Sequence, residues 1–137
     1  TGLVFTLAGG AIAYKSKIQA TVATSSTEAE FITAVHAAKI AKHLRSVLHE
    51  LGYSQQGATP IYEDNQAAIA MINEDWPTTR SRHIDIQHFA IQEWRAKGDI
   101  RMVYIPTSIN PADTNTKALS WVLHARHVRW SMGHYGP

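Results

Sequence analysis

The chain has 137 residues, 45% of them hydrophobic and 18% charged, with a formal net charge of +2. That length suits a single domain, and the composition excludes a disordered or collagen-like chain. With no cysteine, disulfides and thiolate metal sites are excluded, and no apolar run approaches the roughly 20 residues of a membrane-spanning helix. Thirteen Lys and Arg against eleven Asp and Glu is too even a balance to announce a nucleic-acid binder by itself. Eight His could add positive charge beside acids. No signal peptide is visible, and the chain opens on a strand-like run without an initiator Met. It therefore reads as a piece of a longer, intracellular polypeptide.

Residues 3–8 read as a strand closed by Gly9-Gly10, and 11–15 as its hairpin partner. The alternation over 19–24 suggests a third strand and an antiparallel meander. A helix is expected over 27–51, stopped by Gly52. Its apolar positions include Ala34, Ala37, Ala41, Leu44 and Leu48. Glu30 lies five turns before Leu48 on that inward stripe, whereas Glu28 faces about 160° away and is expected in solvent. A polar loop over 54–59 leads to a strand over 60–63, with Asp64 at its end, and a helix over 65–73. A strand after one helix and before another suggests parallel pairing. A loop over 74–82 precedes a helix over 81–97, with Ile86, Ala90 and Trp94 on one face, closed by Gly98. A last strand over 101–105 ends at Pro106. Asn110-Pro111 then opens a helix whose first turn contains Asp113, and the tail over 120–132 reads as a further helix rich in His, Arg and Trp. This order predicts one α/β domain, a mixed sheet with helices on both faces.

Three acids fall at element ends that such a sheet would bring together: Glu30, Asp64 and Asp113. Hard divalent cations take oxygen ligands, and two of them can cleave a phosphodiester without Cys, His or an organic cofactor. Each acid also has a structural reading. Asp64 could be a helix N-cap, Asp113 an acid favoured in a first turn, and Glu30 the partner of Thr27 in a capping box. Ser25 and Glu28 have the same capping spacing, with Glu28 the better placed.

The combination of SSTEAEF at 25–31, YEDNQAAI at 62–69, RSRHIDIQHF at 80–89 and YIPTSINPADTNTK at 104–117, after a Gly-Gly hairpin continuing AIAYKSK, covers nearly the whole chain. It resembles the ribonuclease H domain of copia-type (pseudovirus) retrotransposon Pol polyproteins. The resemblance implies a ribonuclease H-like mixed sheet, antiparallel meander plus parallel strands, over residues 1–137. It also implies Mg²⁺-dependent cleavage of the RNA strand of RNA–DNA hybrids during reverse transcription, by two Mg²⁺ ions for which Mn²⁺ can substitute. Glu30, Asp64 and Asp113 become the catalytic metal ligands. Arg80, Arg82, His83, Asn65 and Gln66 become nucleic-acid contacts. The basic cluster at 80–83 opens a helix, where free N–H groups also suit phosphate. Partners would be the hybrid and an upstream reverse transcriptase domain, with no membrane, in a cytoplasmic virus-like particle or the nucleus.

The departure is at the front. The family's first aspartate lies on a central strand before the Gly-Leu-Val-Phe run, and residues 1–27 contain no acid. The expectation is a fragment lacking its first strand, inactive alone and of low stability. No His occupies the loop position before the last aspartate that some ribonucleases H use. His88 is expected inside a helix, and His124 and His127 follow Asp113. Two other readings stand beside the first: a catalytically dead relic that binds nucleic acid weakly, and an integrase-type core. The integrase core wants two aspartates and then a glutamate, an order this chain does not have.

Overall fold

A computed structural model describes residues 2–16, 25–74, 82–116 and 118–133, leaving aside the side chains of 82–84. The chain divides into two compact units, one formed by Thr1–Val22 with Ile105–Pro137 and the other by Ala23–Tyr104.

In the first unit, strands β1 (Gly2–Leu7) and β2 (Gly10–Ser16) pair antiparallel. The turn between them uses Ala8 and Gly9, both at positive φ (49° and 88°), which matches the twist of a two-residue hairpin. Between Phe5 and Thr6 the register shifts: Phe5 faces Ala13 and Thr6 faces Ala11, so Ile12 is an extra residue on β2. After two 3₁₀ turns, Thr107–Ile109 and Pro111–Asn115, a helix named α4 below (Trp121–Ser131) packs on β2 and the second turn. The expected helix after Asn110-Pro111 is thus a short 3₁₀ turn, although Asn110 caps it as the sequence suggests, its side chain accepting from Ala112 N–H at 3.1 Å.

The second unit is built on α1 (Ser26–Glu50), which packs against β3 (Thr59–Glu63), α2 (Gln66–Asn73), α3 (Arg82–Ala96) and β4 (Ile100–Tyr104). Strands β3 and β4 pair in parallel from Thr59↔Ile100 to Glu63↔Tyr104, as a βαβ crossover requires. Gly52 and Gly98, at φ of 88° and 75°, stop α1 and α3. In each case the glycine N–H and the next one return to the last turn, to His49 and Leu48 in α1 and to Arg95 and Trp94 in α3. The largest fully buried side chains are Phe31, Ile72, Ile91 and Ile100, all in this unit.

Two expectations change. The described strands form two separate two-stranded sheets rather than one mixed sheet; the third strand expected over 19–24 lies outside the described residues. The face of α3 that carries Ile86, Ala90 and Trp94 is also not its buried one. Ile86 is 60% exposed, while His88 and Ile91 are buried. His88 can take a core position because its Nε2 meets the Met71 carbonyl at 2.8 Å and its ring stacks on Phe31, satisfying its polar atom inside.

Candidate functional site

In the second unit the acids gather where the first turns of α1 approach the end of β3. Ser25 caps α1, its hydroxyl accepting from the Glu28 N–H at 3.1 Å. The N-cap is thus Ser25 rather than Thr27. Both glutamates are half-buried, so Glu28 is less solvated than helical spacing suggests. Glu30 directly precedes Phe31, which is 0% exposed, and stands one turn before the buried Ala34.

At the end of β3 the strand alternation turns Ile61 and Glu63 inward and leaves Tyr62 exposed. Glu63 is 6% exposed. Burial pushes its pKa up from an ordinary 4.5 to about 7; the Asn65 N–H, which donates to its Oε1 at 3.0 Å, opposes this, and the charges of Glu30 and Asp64 add to it. Glu63 is therefore close enough to both Glu30 and Asp64 to feel their charges. Sequence reading singled out Asp64 and Glu30 and missed Glu63, which the two-residue period over 61–63 puts on the core side.

Asp64 is not the cap of α2. That role belongs to Asn65, whose Oδ1 accepts from the Ala68 N–H at 3.1 Å. The half-buried Asp64 carboxylate is instead hydrogen-bonded to the Glu63 carboxyl. Of the expected nucleic-acid contacts, Asn65 has its side-chain oxygen committed to the helix, while Gln66 is exposed. Arg80 and the side chains of Arg82 and His83 lie outside the described residues.

Asp113 belongs to the first unit, on the 3₁₀ turn Pro111–Asn115. The turn is fastened to the hairpin by polar contacts. Ser16 Oγ donates to the Asn115 carbonyl at 2.6 Å, and Asn115 Nδ2 donates to the Leu3 carbonyl at 3.3 Å. Gly2 permits the close approach: a Cβ there would stand 2.6 Å from Thr116 Cγ2 and 2.7 Å from the Ala112 carbonyl oxygen. His127 of α4 is 3% exposed. Burial lowers its pKa and the charge of Asp113 raises it in part, so α4 does bring a histidine into the field of this aspartate. His124, one turn earlier, is exposed.

The donor set suits a hard divalent cation in kind, since every ligand atom on offer is a carboxylate oxygen and the charges of Glu30 and Asp64 both act on Glu63. Among the described residues, no group of three or more His, Asp or Glu side chains stands ready to hold a metal ion. No described helix is long and apolar enough to cross a membrane.

No protein-family model matches the chain, and no solved structure matches it. Curated relatives do. The chain is 39% identical over 119 residues to the retrovirus-related Pol polyprotein from transposon TNT 1-94 of Nicotiana tabacum, a match covering 87% of this chain and 9% of the relative. It is 32% and 33% identical to the retrovirus-related Pol polyproteins from transposons RE2 and RE1 of Arabidopsis thaliana, over 88% and 87% of this chain and 8% of each relative. The chain spans about a tenth of the length of the curated relatives it matches. Over most of its own length, then, it is homologous to one short segment of transposon-encoded, retrovirus-related Pol polyproteins.

Proposed function

We propose that this chain is the ribonuclease H segment of a retrotransposon Pol polyprotein, hydrolysing the RNA strand of RNA–DNA hybrids with Mg²⁺ during reverse transcription. The observation that carries the reading is the meeting of Glu30 with the acids at the end of β3, where Asn65 takes the capping role and leaves Asp64 available. Glu30, Asp64 and Asp113 are the proposed ligands. When bound, the cations supply Lewis acidity and neutralise charge at the scissile phosphate. The chain's own part is to hold anionic oxygens on rigid ends: a helix start capped by Ser25, a strand end fixed by its parallel partner, and a 3₁₀ turn tied to the hairpin. The substrate would be recognised by phosphates, 2′-hydroxyls and A-form-like shape rather than by sequence. A reverse transcriptase domain in the same polyprotein is the proposed partner, and a cytoplasmic virus-like particle or the nucleus the proposed location.

A second reading, nucleic-acid binding without cleavage, is favoured by the absence of a ready group of three ligands among the described residues. Mg²⁺-dependent release of short RNA from a labelled hybrid separates the two, measured on this chain and on the longer polyprotein product that its relatives imply. Asp64→Asn should lower the cleavage rate at least about 100-fold while hybrid binding persists, as expected when a group that stabilises the transition state is removed. Cleavage that survives Asp64→Asn would reject the assignment, and binding without cleavage in every form would favour the second reading.

A further inference from the structure

Outside the acids, the most unusual surface is the outward side of α4 in the first unit. Trp121 is 80% exposed, Met132 just beyond the helix 70%, Val122 68% and Val128 44%. At helical spacing, Trp121, Ala125, Val128 and Met132 form one row, and Val122, Arg126 and Arg129 form the row beside it. His127 takes the inward side. Both arginines are exposed, and neither is in an ion pair among the described residues. No Asp or Glu follows Asp113 in the sequence. An indole left this open beside two guanidinium groups is not explained by packing, because a Trp normally buries most of its large apolar surface.

The chemistry of the face selects its partner. Its only charges are cationic, so a protein partner would have to be strongly acidic, whereas a nucleic acid supplies anions at every residue. A flat exposed ring needs an accessible base face, which single strands offer and duplexes hide. Eleven helical residues rise about 16 Å, room for several successive phosphates of one strand. The polar, open depression near the C-terminal end of α1 offers less. Its Arg45 is held by the Gly57 and Gln55 carbonyls and the Thr59 hydroxyl, and its Lys42 by Asp99.

We propose that the outward side of α4 is a single-strand-binding surface, on which Arg126 and Arg129 hold successive phosphates and Trp121 stacks on an unpaired base. The inference needs none of the carboxylates and stands whether or not the chain cleaves RNA.

The test is fluorescence anisotropy of a labelled 15-nucleotide oligo(dT) and an oligo(U) of the same length, with a blunt duplex as comparison, titrated with the chain at several salt concentrations. The single strands should bind more tightly than the duplex. Trp121→Ala should weaken single-strand binding by roughly 5- to 150-fold, the range for losing one base–aromatic stack, and Trp121→Phe should restore most of it. Replacing Arg126 and Arg129 together by Gln should flatten the slope of log K against log salt by about 1.4, two single-strand phosphate contacts. All three positions are exposed, and circular dichroism of each variant verifies the fold. Equal affinity for duplex and single strand, unchanged binding in Trp121→Ala, or an unchanged salt slope in the double variant would each overturn the proposal. So would a wild-type dimer that Trp121→Ala dissolves, since the face would then belong to a second copy of the chain.

Discussion

The two units hold together by different physics and carry opposite charge. By sequence, Thr1–Val22 with Ile105–Pro137 contains five Lys and Arg against the single acid Asp113, a formal +4. Ala23–Tyr104 contains eight against ten, a formal −2. The acidic unit owns the four largest fully buried side chains, whereas the basic unit's buried side chains, among the described residues, are Leu3 and His127. Its hairpin and 3₁₀ turn are joined instead by the Ser16 and Asn115 hydrogen bonds and the close approach at Gly2. A near-neutral total thus hides a division in which one unit concentrates nearly all the acids on a packed scaffold, while the other, lightly packed, keeps its cations almost unopposed. Net charge for a whole chain is the wrong scale on which to judge nucleic-acid binding.

The contrast is broken most directly at Phe31, which fills the space between α1 and His88. Phe31→Ala should destabilise the chain by about 3–5 kcal/mol, the range for truncating a buried aromatic. Urea unfolding with amide exchange should show that loss in the protection of α1, β3 and β4. A similar loss confined to the hairpin would contradict the division.

The next effect, smaller and dependent on pH, belongs to Glu63. A folded-state pKa of about 7 against an ordinary 4.5 means that the folded chain keeps a proton the unfolded chain has already released. The stability linked to this group is therefore complete below about pH 4.5, declines as pH rises to about 7, and is lost above that, a change of about 3 kcal/mol. Glu63→Gln should remove that decline, so that in metal-free buffer the variant gains over the wild type between pH 5 and pH 8. Parallel urea curves at the two pH values check it, and an equal difference at both would show that Glu63 does not titrate with folding.

The local features of each unit are legible in the sequence, whereas the division itself is not, and the misses share a cause. The Gly stops, the Ser25 cap, the Asn110 cap and the parallel crossover rest on local chemistry, and local chemistry is what one sequence contains. The core position of His88 is not legible because His88 looks polar, and only the Met71 carbonyl and the Phe31 ring, distant in sequence, make it a core residue. Glu63 was passed over for its neighbour Asp64 because a buried acid is rare and the alternation of β3 is only five residues long. The likeness to transposon Pol polyproteins was legible from motifs, whereas the separation of Asp113 from Glu30 and Asp64 into different units was not.

In the basic unit the sharpest probe is Gly2. Adding a methyl there drives it into the Ala112 carbonyl and the Thr116 side chain, so Gly2→Ala should destabilise by about 1–3 kcal/mol, the range for overpacking a close contact. The loss should appear as faster amide exchange at Thr116 and in α4, with α1 unchanged. Slower exchange in α1 than in α4 already in the wild type would fit the uneven distribution of buried side chains.

The smallest effect separates structure from chemistry within a single dipeptide. Asn65 caps α2 and Asp64 does not. Asn65→Ala should therefore cost about 1 kcal/mol, as loss of an N-cap does, and should affect hybrid cleavage only as far as it frays α2. Asp64→Asn should leave the melting temperature within about 2 °C while removing cleavage, because the half-buried carboxylate has no capping role to lose and the isosteric amide can keep a hydrogen bond to Glu63 without the charge. If instead Asp64→Asn lowered stability as much as Asn65→Ala, the carboxylate would be structural. The acid cluster at the end of β3 would then belong with the packed scaffold rather than with the chemistry proposed for it.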